Sequence, residues 1–347
     1  MIKKNIFHGI KYFFIGIAIA LLFVTPSFAK FATFQNNIGI PNSNITKSKN
    51  FQIAQQNKVL TDVEVESVAS QTTVVIAPGL EKGDIENPNN LPFSGSGVIV
   101  AKIGKTYYVA TNLHVVYGKG GIYGVYTPSD GEVHKVDDEK TNHNIFRFGE
   151  QEGEKVTGFD LAIVKFDSNK NYPLVTIDNK PTAPGNKVFV SGWPNPENLT
   201  GKMQRRFELG QVLNIQAPPQ LDGGYSLFYD CKTQGGMSGG PVFNNQAQVV
   251  GIHGRGDEVQ RLGILVNYLI SQSKQAQQKR EIPQTFAFNF TPPSLNLIRS
   301  GLPGKRPKSA DVINNYFKTF SLENFQRSST RDCPTGVLLG RDEGCEK

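Results

Sequence analysis

From Thr72 to about Ile270 the chain is a succession of short β-rich runs cut by Gly, Pro and Asn, with little helical periodicity. The clearest runs are Gly97–Ala101, Thr106–Ala110, Gly121–Tyr126, Leu161–Phe166, Lys187–Gly192, Gly210–Ile215, Ser226–Asp230 and Gln248–His253, with Thr72–Ala77 as a first strand. Such punctuation leaves no room for the long helix that must join each pair of parallel strands in a βαβ unit. An all-β barrel or sandwich follows. A short helix is expected ahead of it over Val63–Ala69, and 347 residues suffice for one large or two modest domains with a full core.

Inside this β-rich region lies Thr233-Gln234-Gly235-Gly236-Met237-Ser238-Gly239-Gly240-Pro241-Val242-Phe243. Four glycines around one serine point to backbone conformations that a Cβ resists. A serine hydroxyl is a weak nucleophile at neutral pH and needs a base in reach and donors for the oxyanion its attack creates. Glycine at 236 would let the N–H groups of Gly236 and Ser238 face one hollow. Upstream stand Ala110-Thr111-Asn112-Leu113-His114-Val115-Val116 and Gly158-Phe159-Asp160-Leu161-Ala162-Ile163-Val164. Alone, each of the three stretches reads more simply as a turn, a structural histidine or a strand edge.

Together, in the order His, Asp, Ser and separated by about 46 and about 78 residues, these stretches resemble the motifs of the chymotrypsin-like serine peptidases. The resemblance covers roughly Val65–Ser273. It implies two six-stranded antiparallel β-barrels, with His114 and Asp160 from the first, Ser238 from the second, and a helix over Leu265–Lys279. The crossover is expected near Asp178–Gly185, where Pro181 and Pro184 interrupt pairing. By resemblance, His114 is the general base, Asp160 its orienting acid, Ser238 the nucleophile, and the N–H groups of Gly236 and Ser238 the oxyanion hole. The competing reading is a catalytically silent module that keeps the barrels and recruits a partner.

Two departures from the animal digestive members are visible. Val115 stands where many of them have a cysteine beside the histidine, which looks bacterial and disulfide-poor. Met237 precedes the nucleophile in place of their aspartate, so activation by an ion pair to a freed N-terminus is unavailable. In relatives the residues five and six before the serine line the specificity pocket; here they are Thr233 and Lys232, and His253 would face the same pocket. The combination resembles the glutamyl endopeptidase branch and implies cleavage after Glu, with Asp second, since a buried carboxylate needs charge-assisted donors. Gly254, Arg255 and Gly256 are expected to offer the edge to which a substrate backbone pairs.

Residues 1–29 combine Lys3, Lys4 and Lys11, an apolar run over Tyr12–Val24 and small residues before Ala29. That is the pattern of a signal peptide cleaved after Ala29, for export to the periplasm or beyond. An uncleaved anchor is the rival, though the run is shorter than the ~20 residues a spanning helix needs. Residues 30–60 read as an Asn/Gln-rich flexible leader or propeptide. The peptidase domain is expected over 61–280, with barrel 1 at about 70–178 and barrel 2 at about 185–265, followed by an extension over 281–347 with a short helix at Ala310–Phe320.

The formal net charge of +7 includes the three lysines of the leader, and the remaining surplus forms no basic stripe interleaved with aromatics, so nucleic acid is not an expected partner. No nucleotide fingerprint and no Cys/His spacing for zinc occurs, and no metal or other cofactor is expected. Of the three cysteines, Cys333 and Cys345 lie close enough in the tail for a small disulfide, and Cys231 reads as a small buried apolar residue. The exported chain is expected to act as a monomer on peptide or protein substrates, without stable membrane insertion after signal cleavage.

Overall fold

The computed structural model describes residues 58–302, apart from 89–90, 92, 119, 139–143, 196–200 and 257–258. The signal peptide, most of the leader, the Ala310–Phe320 helix and the Cys333–Cys345 pair lie outside the described residues. Among these described residues, fourteen strands fall into two seven-stranded sheets. The first holds β1 (Thr73–Pro78), β2 (Gly95–Ile103), β3 (Thr106–Thr111), β4 (Ile122–Thr127), β5 (Glu132–Asp137), β6 (Ile145–Glu152) and β7 (Lys155–Asp167), in the order β5-β4-β1-β2-β3-β7-β6. The second holds β8 (Thr176–Ile177), β9 (Lys187–Gly192), β10 (Arg206–Ile215), β11 (Leu227–Tyr229), β12 (Pro241–Phe243), β13 (Gln248–Gly256) and β14 (Arg261–Leu265), in the order β12-β9-β10-β11-β14-β13-β8.

The second sheet closes on itself, because β12 pairs with β13 as well as β9, giving a six-stranded barrel. The short β8 adds to it in parallel, pairing Gln248 with Thr176. The first is an open half-barrel rather than the closed six-stranded barrel implied by the resemblance, with β5 and β6 at its edges. No strand lies between Ile177 and Lys187, where the crossover was expected.

Alternation along the strands builds the core. Val74 and Ile76, Ile99, Tyr107 and Val109, and Ala162, Val164 and Phe166 share the apolar interior of the half-barrel. Their neighbours Val98, Val100, Tyr108, Ala110, Leu161 and Ile163 point the other way, into a core shared with Phe189, Phe243, Val249 and Ile252 of the barrel. These strands are buried on both faces, which is why they read as nearly continuous apolar runs. A third cluster, including Val188, Val190, Tyr229, Met237 and Val250, fills the barrel itself.

Among the described residues, four helices flank the sheets. Helix α1 (Asp62–Thr72) begins on a capping box in which Thr61 and Glu64 satisfy each other's backbone N–H groups. Helix α2 (Lys82–Glu86) follows β1, and α3 (Val266–Gln278) continues directly from β14. Helix α4 (Leu295–Ser300) is capped by Ser294 and lies on α1, where Ser67 donates to the Ile298 carbonyl and Gln71 Nε2 donates to the Leu297 carbonyl at 2.8 Å. Ile282, Phe286 and Ile298 enter the shared core, and Asn289 bonds the backbone of both Val175 and Ile177. The packed body thus runs on past residue 280, where the domain was expected to end, through Leu302.

Candidate active site

The serine-bearing loop between β11 and β12 is pinned to the half-barrel by one residue of β2. Ser96 N–H donates to the Ser238 carbonyl at 2.7 Å, and Ser96 Oγ donates to the Gly236 carbonyl at 2.8 Å. The approach is so close that a Cβ at Gly239, whose φ is +86°, would lie 2.1 Å from the Ser96 carbonyl oxygen. Gly236 has φ +92°, and a Cβ there would meet Asn195 N at 2.5 Å. Glycine is required at both places on conformational and steric grounds. Met237 between them is fully buried in the barrel core and packs against Gly192, so the position before the serine is an apolar anchor. Among the described residues, the N–H groups of Gly236 and Ser238 have no protein acceptor.

His114 sits in the turn after β3, closed by a Val116 N–H bond to the Leu113 carbonyl. The side chain of Asp160, on β7, is fully buried. The two are brought together: Oδ1 of Asp160 accepts from the His114 backbone N–H at 2.9 Å, and Oδ2 is 2.7 Å from His114 Nδ1. Burial alone would raise the Asp160 pKa, but the bonds from His114 and from Tyr225 outweigh it and hold the carboxyl below its usual range. An ionised carboxylate only accepts, so Nδ1 carries the proton when the imidazole is neutral and the Nε2 lone pair is left available. Asn112 Nδ2 donates to the Asp160 carbonyl at 2.7 Å and ties the histidine turn to β7 a second time.

His114 and Ser238 wall one cleft together with Phe93, Ser94, Val115, Tyr117, Gln151 and Gly236. Within it the Ser238 hydroxyl donates to the Gly254 carbonyl at 2.9 Å rather than to the His114 ring. The ladder between β12 and β13 ends at the Pro241–Ile252 pair, and beyond it Arg255 and Gly256 pair with Leu262 and Arg261 of β14.

The residues expected at the specificity pocket are placed unevenly. Lys232 is exposed and Thr233 half-buried on the loop leading to the serine. His253 is buried, with Nδ1 2.6 Å from the Tyr229 hydroxyl. Burial, together with the charges of Arg261 and His114, pushes its pKa down to about 3, so the ring is neutral. Arg255 turns its guanidinium to Asp222, at 2.6 Å, and over the Tyr225 ring, at 5.0 Å from the centroid. Two residues near the site escape sequence reasoning. Arg261 pairs with Gly256 and Tyr229 in the sheet, and Tyr225 donates to Asp160 Oδ2 at 2.5 Å. The pair Gly223-Gly224 just ahead of Tyr225 is the one sequence signal that could have drawn attention to it.

Residues 95–252 match the family model for the trypsin-like peptidase domain. Together with the paired sheets, this match supports a trypsin-like serine peptidase domain over those residues, somewhat less than half of the chain. The chain is 30% identical over 192 residues to a glutamyl endopeptidase of Staphylococcus epidermidis, covering 52% of this chain and 60% of the relative. It is 28% identical over 173 residues to a glutamyl endopeptidase of Staphylococcus aureus strain MW2, covering 46% of each. The chain thus spans about half to three fifths of the length of these relatives. Among solved structures, the serine endoprotease from Yersinia pestis is similar at a TM-score of 0.44 and 20% identity, over 70% of this chain and 68% of that one, a likeness too distant to bear on detail.

Proposed function

We propose that the protein is an exported serine endopeptidase that works through an acyl-enzyme on Ser238. The observation that carries this reading is the convergence of the His114–Asp160 pair and Ser238 on one cleft. Rotation of the Ser238 side chain exchanges its bond to Gly254 for one to His114 Nε2, a rotamer change of the fast kind common at accessible side chains. His114 then takes the hydroxyl proton as Oγ attacks the peptide carbonyl, and returns it to the leaving amine. Asp160 fixes the imidazole tautomer and stabilises its cation. The N–H groups of Gly236 and Ser238 receive the developing oxyanion, each such donor being worth about 2.7–4 kcal/mol of barrier. Water resolves the acyl-enzyme by the same relay.

Cleavage after Glu, with Asp second, is the proposed specificity. It is supported by the likeness to glutamyl endopeptidases and by the donors Thr233 and Lys232 on the serine loop. Because His253 is neutral, it can serve an acidic side chain only as a neutral donor, and the positive charge comes from Lys232 and from Arg261, whose field reaches both His253 and Tyr229. Export rests on the residue pattern of 1–29; no described helix is long and apolar enough to cross a membrane.

A fluorophosphonate probe tests the enzyme reading. The mature protein is expected to label and Ser238→Ala not to label. A folded chain that never labels supports instead the silent binding module. A peptide library dominated by Arg, Lys or large apolar residues before the cut would remove the acidic preference.

A further inference from the structure

We infer that Tyr225 is a positioning residue for the reaction: its hydroxyl, reaching across from the barrel, is the third hydrogen-bond donor that fixes the Asp160 carboxylate against His114. This rests on the peptidase reading above. Tyr225 is fully buried and donates to the same Oδ2 that faces His114 Nδ1, at 2.5 and 2.7 Å. The other oxygen is held by the His114 N–H, so the three protein donors restrain the carboxylate in rotation and tilt.

The surroundings are built for this contact. A Cβ at Gly254 would lie 2.5 Å from the Tyr225 hydroxyl, one at Gly223 2.8 Å from its ring, and one at Gly224 2.2 Å from the Phe159 ring beside Asp160. Two glycines therefore clear the path of the phenol, and a third makes room for the neighbouring Phe159 ring. Gly223 also accepts the Asp160 N–H through its carbonyl at 2.9 Å, which docks the tyrosine-bearing turn onto β7. Outside, Arg255 covers the ring and is clamped by Asp222, whose Oδ1 in turn accepts from Val156 N–H at 2.8 Å. Burial and the neighbouring Asp160 charge raise the Tyr225 pKa well above 10, so the phenol remains a proton donor and never competes as a base.

The titratable and charged groups facing the pair are His114, Arg255 with Asp222, Tyr229 and His253. Of these groups, His114 also bonds Asp160 Oδ2. Without the phenol, Asp160 keeps more of its charge to itself. The His114–Asp160 pair then holds its proton more tightly, and the carboxylate is free to swing.

The test is kcat and KM against pH for wild type, Ser238→Ala and Tyr225→Phe, with thermal melts alongside. Tyr225→Phe is expected to lose roughly tenfold to a hundredfold in kcat, as for one hydrogen bond to a charged group, with KM within about twofold. Its acid limb should move to higher pH by on the order of one unit. Replacing Tyr225 with 3-fluorotyrosine, a stronger donor of nearly the same shape, should move that limb the opposite way, and it decides the matter should the Phe variant fail to fold. A merely structural tyrosine would lower the melting temperature in Tyr225→Phe and leave both limbs where they were; wild-type turnover with unmoved limbs overturns the inference alone. A wild type that neither labels nor turns over removes the peptidase reading and this inference with it.

Discussion

Arg147 offers a sharp test of how the histidine turn is held. Its Nε donates to the Val116 carbonyl at 2.8 Å and Nη2 to the Gly118 carbonyl at 3.1 Å, while Nη2 and Nη1 reach the Asp138 carboxylate at 2.7 and 3.4 Å. One guanidinium thus ties the chain just after His114 to β6. The side chains of Arg147 and Asp138 are 13% and 7% exposed, so this is a largely dry pair. Removing one partner of such a pair costs about 3–5 kcal/mol, because the remaining charge is left uncompensated. In Arg147→Met the stem still packs, and about 3 kcal/mol is expected. At roughly 2–4 °C per kcal/mol for a domain of this size, the melting temperature should drop by about 6–12 °C. Urea unfolding of wild type, Arg147→Met, Asp138→Asn and the double variant should give a coupling of about 2 kcal/mol. Turnover should suffer as well, since two carbonyl anchors beside His114 are lost. A single variant within about 0.5 kcal/mol of wild type, the range of an ordinary surface change, or a cycle with additive losses, would refute this account of the turn.

Two further outcomes follow from ionisable groups that their surroundings perturb. Burial works against ionised Asp130, but bonds from Thr127, Lys170 and Tyr172 prevail and hold its pKa at about 2, against 3.8 ordinarily. A depressed carboxyl contributes stability that is complete above its unfolded pKa and lost as pH falls through the folded one, so this share should vanish between about pH 4 and pH 2. Asp130→Asn should flatten that part of the stability curve in urea titrations, and an unchanged slope would contradict it. Cys231, 1% exposed, has its thiol pushed up to about 12, chiefly by burial. It should resist iodoacetamide in the native protein and react once unfolded; rapid native labelling counted by mass would show otherwise.

The sequence disclosed the strands that are buried on both faces, because β2, β3, β9 and the first part of β13 are apolar nearly throughout. It concealed β5 and β6, whose residues are mostly half-exposed and polar, and β12, only three residues long and opening on a proline. Strand β14 was hidden by its own continuation into α3, with Arg261 and Gly263 breaking any apolar pattern. Of the site, the positions of His114, Asp160 and Ser238 could be read from local motifs. The opening of the half-barrel could not, since closure depends on pairing between strands far apart in the chain. Tyr225 lies 65 residues from the carboxylate it touches, and such a contact leaves no periodic trace. His253 was legible as a residue but not as a neutral ring, because its state is set by burial and by Arg261 on another strand.

The seating of α4 on α1 makes neighbours of the first and last helices of the described body, through Ser67, Gln71 and Ser300. Topologically the body is therefore almost a ring. A short linker from Leu302 back to Thr61 would close it, and the polypeptide could then be opened afresh at an exposed turn such as Gly153-Glu154 with every strand pairing preserved.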